Sequence, residues 1–341
     1  MSNDDGGFTL AGTTTSYGAG SDDFYLVKVD STGREIWSKT YGGPESELAF
    51  TATRTLDGGY ALAGITSSWQ AGTQDVYIVK VDAEGNAEWS RTYGGSGVER
   101  AESIARTPDG GFAICGNTTS FGSGRWDIFV IRLDAQGDTL WTRTYGTAWD
   151  DNGEGICYTE DGGFALTGSL GAFGQANICI IKINDSGLQE WVQTYVLNHH
   201  EHGYDIDNTL DGGFVIAGGE RANTIENFYV IRTDHRGIRL WAYTYGRSEV
   251  DRALAVRSCV DGGFIVAGQT VAGTNNYDMY VIKLDAFGTV QWQRTIGGDR
   301  SERADAVDQM VDGGYVVAGY TDSFGTGYGN MFAVRLDQNG H

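Results

Sequence analysis

Three sets of side chains in this sequence have the types and spacing to do chemistry. The first is six carboxylates: Glu47, Glu99, Asp151, Glu201, Asp251 and Glu302. Each stands six residues after a Tyr (Ile296 in the last case) and two before Ala or Gly. Clustered carboxylate oxygens bind hard cations, so Ca²⁺ is the cofactor this set would suit, and no other cofactor is implied. The opposing reading is structural: each acid caps backbone N–H groups, or pairs with a base from Lys28, Lys80, Arg132, Lys182, Arg232, Lys283 and Arg335. An unpaired buried carboxylate would be costly. The second set is Trp126, Trp149, Asp150, His199, His200 and His202. Exposed indoles beside carboxylates suit a sugar, ring face on C–H surface, whereas folded-back rings would be packing. His-His-Glu-His in one loop lacks the helical spacing that presents two imidazoles to a metal. The third set is Asp23, Asp75, Asp127, Asn177, Asn227, Asp278 and Asn330. Asp and Asn exchange there without regard to charge, which fits turn-forming side chains better than a cation site.

The elements that position these residues follow from an internal repeat. Asp-Gly-Gly-aromatic occurs seven times, from Asp5, Asp57, Asp109, Asp161, Asp211, Asp261 and Asp312, at spacings of 52, 52, 52, 50, 50 and 51. Each unit reads as four short apolar runs separated by Asp-Gly or x-Gly hairpin turns. The third run, as in Asp75-Val-Tyr-Ile-Val-Lys-Val-Asp82, is apolar on both faces, as a strand sandwiched between neighbouring sheets must be. Four antiparallel strands in about 50 residues is the signature of a propeller blade. The predicted fold is all-β: a seven-bladed β-propeller of four-stranded antiparallel blades, one domain over 1–341. The six acids then surround the mouth of the central channel, on the face of the longer loops.

Second and third strands occur seven times, but first and fourth strands only six. The first and last repeats are thus incomplete, and the propeller is about two strands short of full closure. The bare edges suggest either a fragment or a partner that supplies the missing strands, self-association included.

Val29-Asp30-Ser-Thr-Gly33-Arg-Glu-Ile-Trp37 resembles the tryptophan-docking motif of quinoprotein-type propellers, and Trp89, Trp141, Trp191, Trp241 and Trp292 repeat it. With Asp57-Gly-Gly-Tyr-Ala-Leu-Ala-Gly64, the unit resembles the DGGY-x-x-AG propeller repeats of bacterial and archaeal secreted or surface proteins. The resemblance implies an extracytoplasmic or cell-surface location. No signal peptide is expected at Met1, and no cofactor pocket is implied, because the resemblance rests on blade-packing residues.

A net charge of −21 argues against nucleic acid as a partner. No apolar run approaches the roughly 18 residues of a membrane span, so membrane insertion is not expected. Cys115, Cys157, Cys179 and Cys259 are scattered, without a CxxC pair, and read as small buried fillers. No nucleophile elbow, Walker loop or dinucleotide fingerprint occurs. The leading reading is a non-catalytic binding or scaffolding propeller, with a protein or carbohydrate on the long-loop face. The alternatives are a polysaccharide-acting enzyme or lectin-like sugar binder, then a quinoprotein oxidoreductase.

Overall fold

The turns dictate the fold. At Asp109 the carboxylate accepts the Thr107 hydroxyl (2.5 Å), the Gly111 N–H (3.1 Å) and Arg132 Nη2 (2.6 Å), while Gly110 takes φ 84°. That conformation is open to Gly at no steric cost and reverses the chain tightly into an antiparallel strand. The same turn recurs at every Asp-Gly-Gly, so each repeat becomes a meander. A computed structural model describes residues 1–69, 71–171, 176–196, 200–222, 225–246, 250–271, 276–325 and 329–341.

Seven antiparallel sheets result. The first has three strands, β1 (Phe8–Thr14), β2 (Asp23–Val29) and β3 (Glu35–Tyr41). The second is β4 (Glu47–Arg54), β5 (Tyr60–Thr66), β6 (Asp75–Val81) and β7 (Ala87–Tyr93). The third is β8 (Glu99–Arg106), β9 (Phe112–Thr118), β10 (Asp127–Leu133) and β11 (Thr139–Tyr145). The fourth is β12 (Asn152–Tyr158), β13 (Phe164–Leu170), β14 (Asn177–Ile183) and β15 (Gln189–Tyr195). The fifth is β16 (His200–Asn208), β17 (Phe214–Ala222), β18 (Ile225–Thr233) and β19 (Arg239–Tyr245). The sixth is β20 (Asp251–Ser258), β21 (Phe264–Val271), β22 (Tyr277–Leu284) and β23 (Val290–Ile296). The last has three, β24 (Glu302–Gln309), β25 (Tyr315–Thr321) and β26 (Asn330–Leu336). Among the described residues the first and last sheets have three strands each, without the first and the fourth strand of the repeat respectively, the two that strand counting expects to be missing.

The chain divides into two compact units. One comprises Met1, Gly7–Phe173 and Ile181–Trp191; the other comprises Ser2–Gly6, Gly174–Ile180 and Val192–His341. In the first unit, β6 and β10 are buried along their whole length, as strands sandwiched on both faces must be. Ile78, Ile104, Phe112, Phe129 and Ile131 form one cluster there, with Trp89 and Tyr93 packed against it. Burying a side chain such as Phe112 stabilises the fold by about 1.5–3 kcal/mol. In the second unit Val230, Val256, Phe264, Val266, Tyr280 and Ile282 do the same, with Trp241 and Tyr245 alongside. The four cysteines are buried thiols, as expected of fillers. Among the described residues no helix is long and apolar enough to cross a membrane.

Candidate functional site

Glu47, Glu99, Asp151 and Glu302 stand at the start of an inner strand and turn back onto their own loops. Glu47 Oε2 accepts the Gly43 N–H (2.6 Å), and Oε1 accepts the Thr66 hydroxyl (2.6 Å) and Ser68 N–H (3.3 Å). Glu99 repeats this with Gly95 and Thr118 (2.6 and 2.7 Å), and Glu302 with Gly298 and Thr321 (2.7 Å each). Asp151, one methylene shorter, binds the Thr147 N–H and accepts the Gly171 N–H at 3.0 Å. All six acids, Glu201 and Asp251 included, are 0% exposed. Charge-assisted bonds from backbone N–H groups offset the cost of that burial. Among the described residues no three His, Cys, Asp or Glu side chains converge as a metal-binding group.

The recurring bases go elsewhere than to these acids. Lys80 pairs with Asp57 (2.5 Å), Arg132 with Asp109 (2.6 Å), Lys182 with Asp161 (3.0 Å) and Lys283 with Asp261 (2.8 Å); Arg232 and Arg335 likewise meet Asp211 and Asp312. The reason is reach. The base sits near the Asp-Gly-Gly end of its strand, and a seven-residue strand spans roughly 20 Å, so the acids at the other end are inaccessible to it.

At the long-loop end, Asp75 and Glu99 face one another across Gly94. A Cβ built on Gly94 would lie 2.2 Å from Asp75 Oδ1 and 2.8 Å from Glu99 Oε2, so the close approach demands glycine. Asp75 Oδ2 accepts the Ala71 N–H at 2.6 Å, as the turn-forming reading of this position expects. Its Oδ1 is buried with no hydrogen-bond partner. Burial, and then the neighbouring Glu99 charge, raise the Asp75 carboxyl above its ordinary value against the Ala71 bond. Asp278 and Glu302 reproduce the arrangement across Gly297.

The second sequence set is only partly brought together. In the first unit, Trp126 is half-buried, with its carbonyl accepting the Asp151 N–H at 2.9 Å, while Trp149 stands 59% exposed. Asp150 lies 3.9 Å from Arg125 Nη1. In the second unit, His202 stacks on Tyr204 with ring centres 6.0 Å apart. His199 lies outside the described residues, and of His200 only the backbone, opening β16, is described. Trp149 has company at the long-loop ends of the first unit. Tyr17, Trp69 and Phe121 rest on Tyr25, Tyr77 and Phe129 while remaining 66%, 45% and 46% exposed.

Sequence reasoning overlooked one position. Each inner strand carries a β-bulge, at Ala49/Thr51, Ala101/Ser103, Gly153/Gly155, Gly203/Asp205, Ala253/Ala255 and Ala304/Ala306. The residue that the register skips is Phe50, Glu102, Glu154, Tyr204, Leu254 or Asp305, three after the recurring acid. Bulges commonly re-aim a side chain beside a functional site. In the first unit this yields a carboxylate pair. Burial, then the charge of Glu102, push Glu154 up to about 8, opposed by Arg100. Burial also raises Glu102, against Arg100 at 3.3 Å. In the second unit burial raises Asp305, and Tyr204 and Arg252 both reach Glu226 (3.3 and 2.7 Å). The legible signal was variation: this position changes chemistry from repeat to repeat while the residue before it is always Ala or Gly.

Seven antiparallel sheets, one per repeat of about 51 residues, define a seven-bladed β-propeller. No protein-family model matches the chain. Regulatory protein FlaEY of Caulobacter vibrioides is 24% identical over 158 residues, covering 39% of this chain; the chain spans 17% of that protein's length. Among solved structures, puromycin hydrolase superposes with a TM-score of 0.57 at 15% identity, covering 96% of this chain and 50% of that one. Sqt1 of Chaetomium thermophilum, solved bound to the N-terminus of ribosomal protein L10, superposes with a TM-score of 0.54 at 13% identity, covering 97% and 82%. At these identities the likeness is one of fold.

Proposed function

We propose that this propeller is a non-catalytic binding or scaffolding module that receives a protein partner on its long-loop face. One observation carries the reading: in the first unit, Tyr17, Trp69, Phe121 and Trp149 stand 45–66% exposed at the ends of a buried, hydrogen-bonded scaffold. Rigid, half-exposed aromatic rings are the side chains that dominate protein interfaces. A net charge of −21 favours a basic partner surface. Sqt1, a propeller of similar fold, was solved with a protein segment bound, which supports the reading by analogy of fold. The resemblance to secreted and surface repeat proteins favours a partner outside the cytoplasm.

The test is affinity capture from the native source with wild type, Trp149→Ala and Trp69→Ala as baits, alongside a glycan array. A protein retained by wild type and lost from both variants supports the reading. The same proteins on all three baits would refute it, and array signals that depend on Trp149 would assign the surface to carbohydrate instead.

The Glu102–Glu154 pair favours a second reading, an enzyme acting on polysaccharide. Two neighbouring carboxyls are the requirement for glycosidic bond cleavage, one as acid and one as base or nucleophile. Hydrolysis of a polysaccharide panel that disappears in both Glu154→Gln and Glu102→Gln would establish it; no product from any member of the panel removes it.

A further inference from the structure

Two residues after its docking Trp, each fourth strand carries a base or an amide: Lys39, Arg91, Arg143, Gln193 and Arg294. The fifth repeat alone has an aromatic there, Tyr243. The turns between third and fourth strands show a matching exception. The residue before the closing glycine is Thr32, Glu84, Gln136, Ser186, Arg236 or Asn339 in six repeats, but Phe287 in the sixth repeat. In the second unit the fold brings these two exceptions together. The Phe287 turn packs against β19, the last strand of its sheet. Trp241 Nε1 donates to the Ala286 carbonyl (3.1 Å) and the Tyr245 hydroxyl to the Gly288 carbonyl (2.6 Å). A Cβ built on Gly288 would lie 2.8 Å from the Tyr243 ring. Tyr243 itself stacks on Trp241, with ring centres 5.4 Å apart and planes 19° apart.

Both rings keep much of their surface in water: Phe287 is 77% exposed and Tyr243 48%. Six repeats close the same turn with a polar residue, so the turn does not require the Phe287 ring. The charge beside the rings is negative. Asp285 Oδ1 accepts the Phe287 and Thr289 N–H groups, each at 2.8 Å. Among the described residues no base lies within ion-pair distance of it, and Lys283, whose charge reaches it, is bound to Asp261 at 2.8 Å. Burial alone would raise the Asp285 carboxyl, but the two backbone bonds hold it below its ordinary value, so it is ionised at neutral pH. The same unit shows what its rings accept. Arg294 lies 5.9 Å from the centre of the Trp292 ring, and Arg303 lies 5.3 Å from that of Tyr320. Trp292 thus has a guanidinium of its own strand, whereas Trp241 has a second ring in that place.

We propose that Tyr243 and Phe287 form a docking site for an arginine-bearing segment of another protein. The guanidinium lies on the Tyr243 ring with Asp285 as its counter-charge, and an apolar neighbour in the segment covers Phe287. A guanidinium is planar and weakly hydrated, so it suits an aromatic face better than an ammonium does. Trp241 and Gly288 hold Tyr243 in place beforehand, which keeps the ordering cost of binding low. A second copy of this chain is a poor occupant, because it would bring a net charge of −21 against the same charge. The Phe287 turn stands at the Asp-Gly-Gly end of its strands rather than among the long loops, so the site goes beyond the long-loop reading and is independent of it.

The experiment uses the full chain and a fluorescein-labelled peptide, Gly-Leu-Arg-Gly-Leu-Arg-Gly, read by fluorescence anisotropy. In the control peptide citrulline replaces both arginines, keeping the planar shape and removing the charge. The protein variants are Tyr243→Arg and Phe287→Asn. Each installs the residue type that another repeat carries at the same position, as Arg294 and Asn339, so the fold survives while the platform is lost. Saturable binding to wild type is expected, weakened at least about tenfold by either substitution and by citrulline. Equal affinity of wild type and either variant would mark a general attraction of a basic peptide to an acidic chain, and overturns the proposal. Equal affinity for both peptides, or no binding up to the solubility limit of the peptide, overturns it as well. Light scattering provides the remaining arm: a wild-type dimer that Phe287→Asn returns to monomer would transfer the surface to a second copy and overturn the assignment to another protein.

Discussion

Replacing Asp75 by Asn is expected to stabilise the protein at neutral pH. Asp75 is 3% exposed and directs an unpartnered Oδ1 towards the same point as Glu99 Oε2. Burial and the Glu99 charge raise its carboxyl, so the folded chain holds that proton more tightly than the unfolded chain does. The sign follows directly. Ionising Asp75 costs stability as pH rises above the unfolded value of 3.8, and the cost is complete once pH exceeds the raised folded value. Asn keeps an oxygen for the Ala71 N–H and places an N–H₂ donor against Glu99. Three repeats already carry it, as Asn177, Asn227 and Asn330. Satisfying one buried orphan oxygen is worth about 1–2 kcal/mol, or roughly 1–3 °C in Tm for a chain of this size. Thermal unfolding of wild type and Asp75→Asn from pH 4 to pH 8 reads it, with the difference small at pH 4 and growing with pH. Lower stability of Asp75→Asn at pH 7, or a gain independent of pH, would refute the reasoning. A wild-type advantage that appears only with millimolar Ca²⁺ would instead assign the oxygen pair to a cation.

Glu154→Gln should behave similarly but across a higher window. With the folded carboxyl at about 8, the stability penalty accumulates from the ordinary carboxylate range up to that value, so the variant's gain in Tm should grow between pH 5 and pH 9; a gain that is flat with pH would show that Glu154 ionises normally. Tyr145→Phe removes the 2.7 Å bond from a buried hydroxyl to the Gly187 carbonyl and should lower stability by about 1–2 kcal/mol in urea unfolding, with an unchanged midpoint counting against the bond. Lys80→Met should make the acid limb of the stability curve shallower than in wild type. Burial alone would raise Asp57, but its bonds from Lys80 and Thr55 outweigh that and hold it down to about 2, so their stabilisation is present above pH 4 and lost as pH falls towards 2. Because Asp57 is half exposed, the loss at pH 7 is about 1–2 kcal/mol, and matching acid limbs in wild type and variant would contradict the pairing.

Much of the molecule was legible in one dimension because its determinants are local. An Asp-Gly-Gly turn needs only its own residues, and a strand apolar on both faces announces two neighbours. Repetition at about 51 residues then multiplied one readable unit seven times, including the two missing strands. The capping role of Glu47, Glu99, Asp151 and Glu302 was also accessible, since each acid meets N–H groups on its own loop. The destination of Lys80 and Arg132 was not, because choosing between the acids at the two ends of a blade requires the length and direction of the strand in space. The Glu102–Glu154 pair escaped for a related reason. The bulge that frees both residues from pairing is a property of register between strands, and their mutual repulsion arises only when adjacent inner strands lie side by side.

The sequence by itself thus determined the blade, its turns, the number of repeats and which strands are absent, all consequences of backbone conformation and periodic hydrophobicity. Only the tertiary structure decided which charges are spent and which remain available. Burial, bulge register and the distance across a glycine set whether a carboxylate caps a loop, faces another carboxylate or pairs with a base.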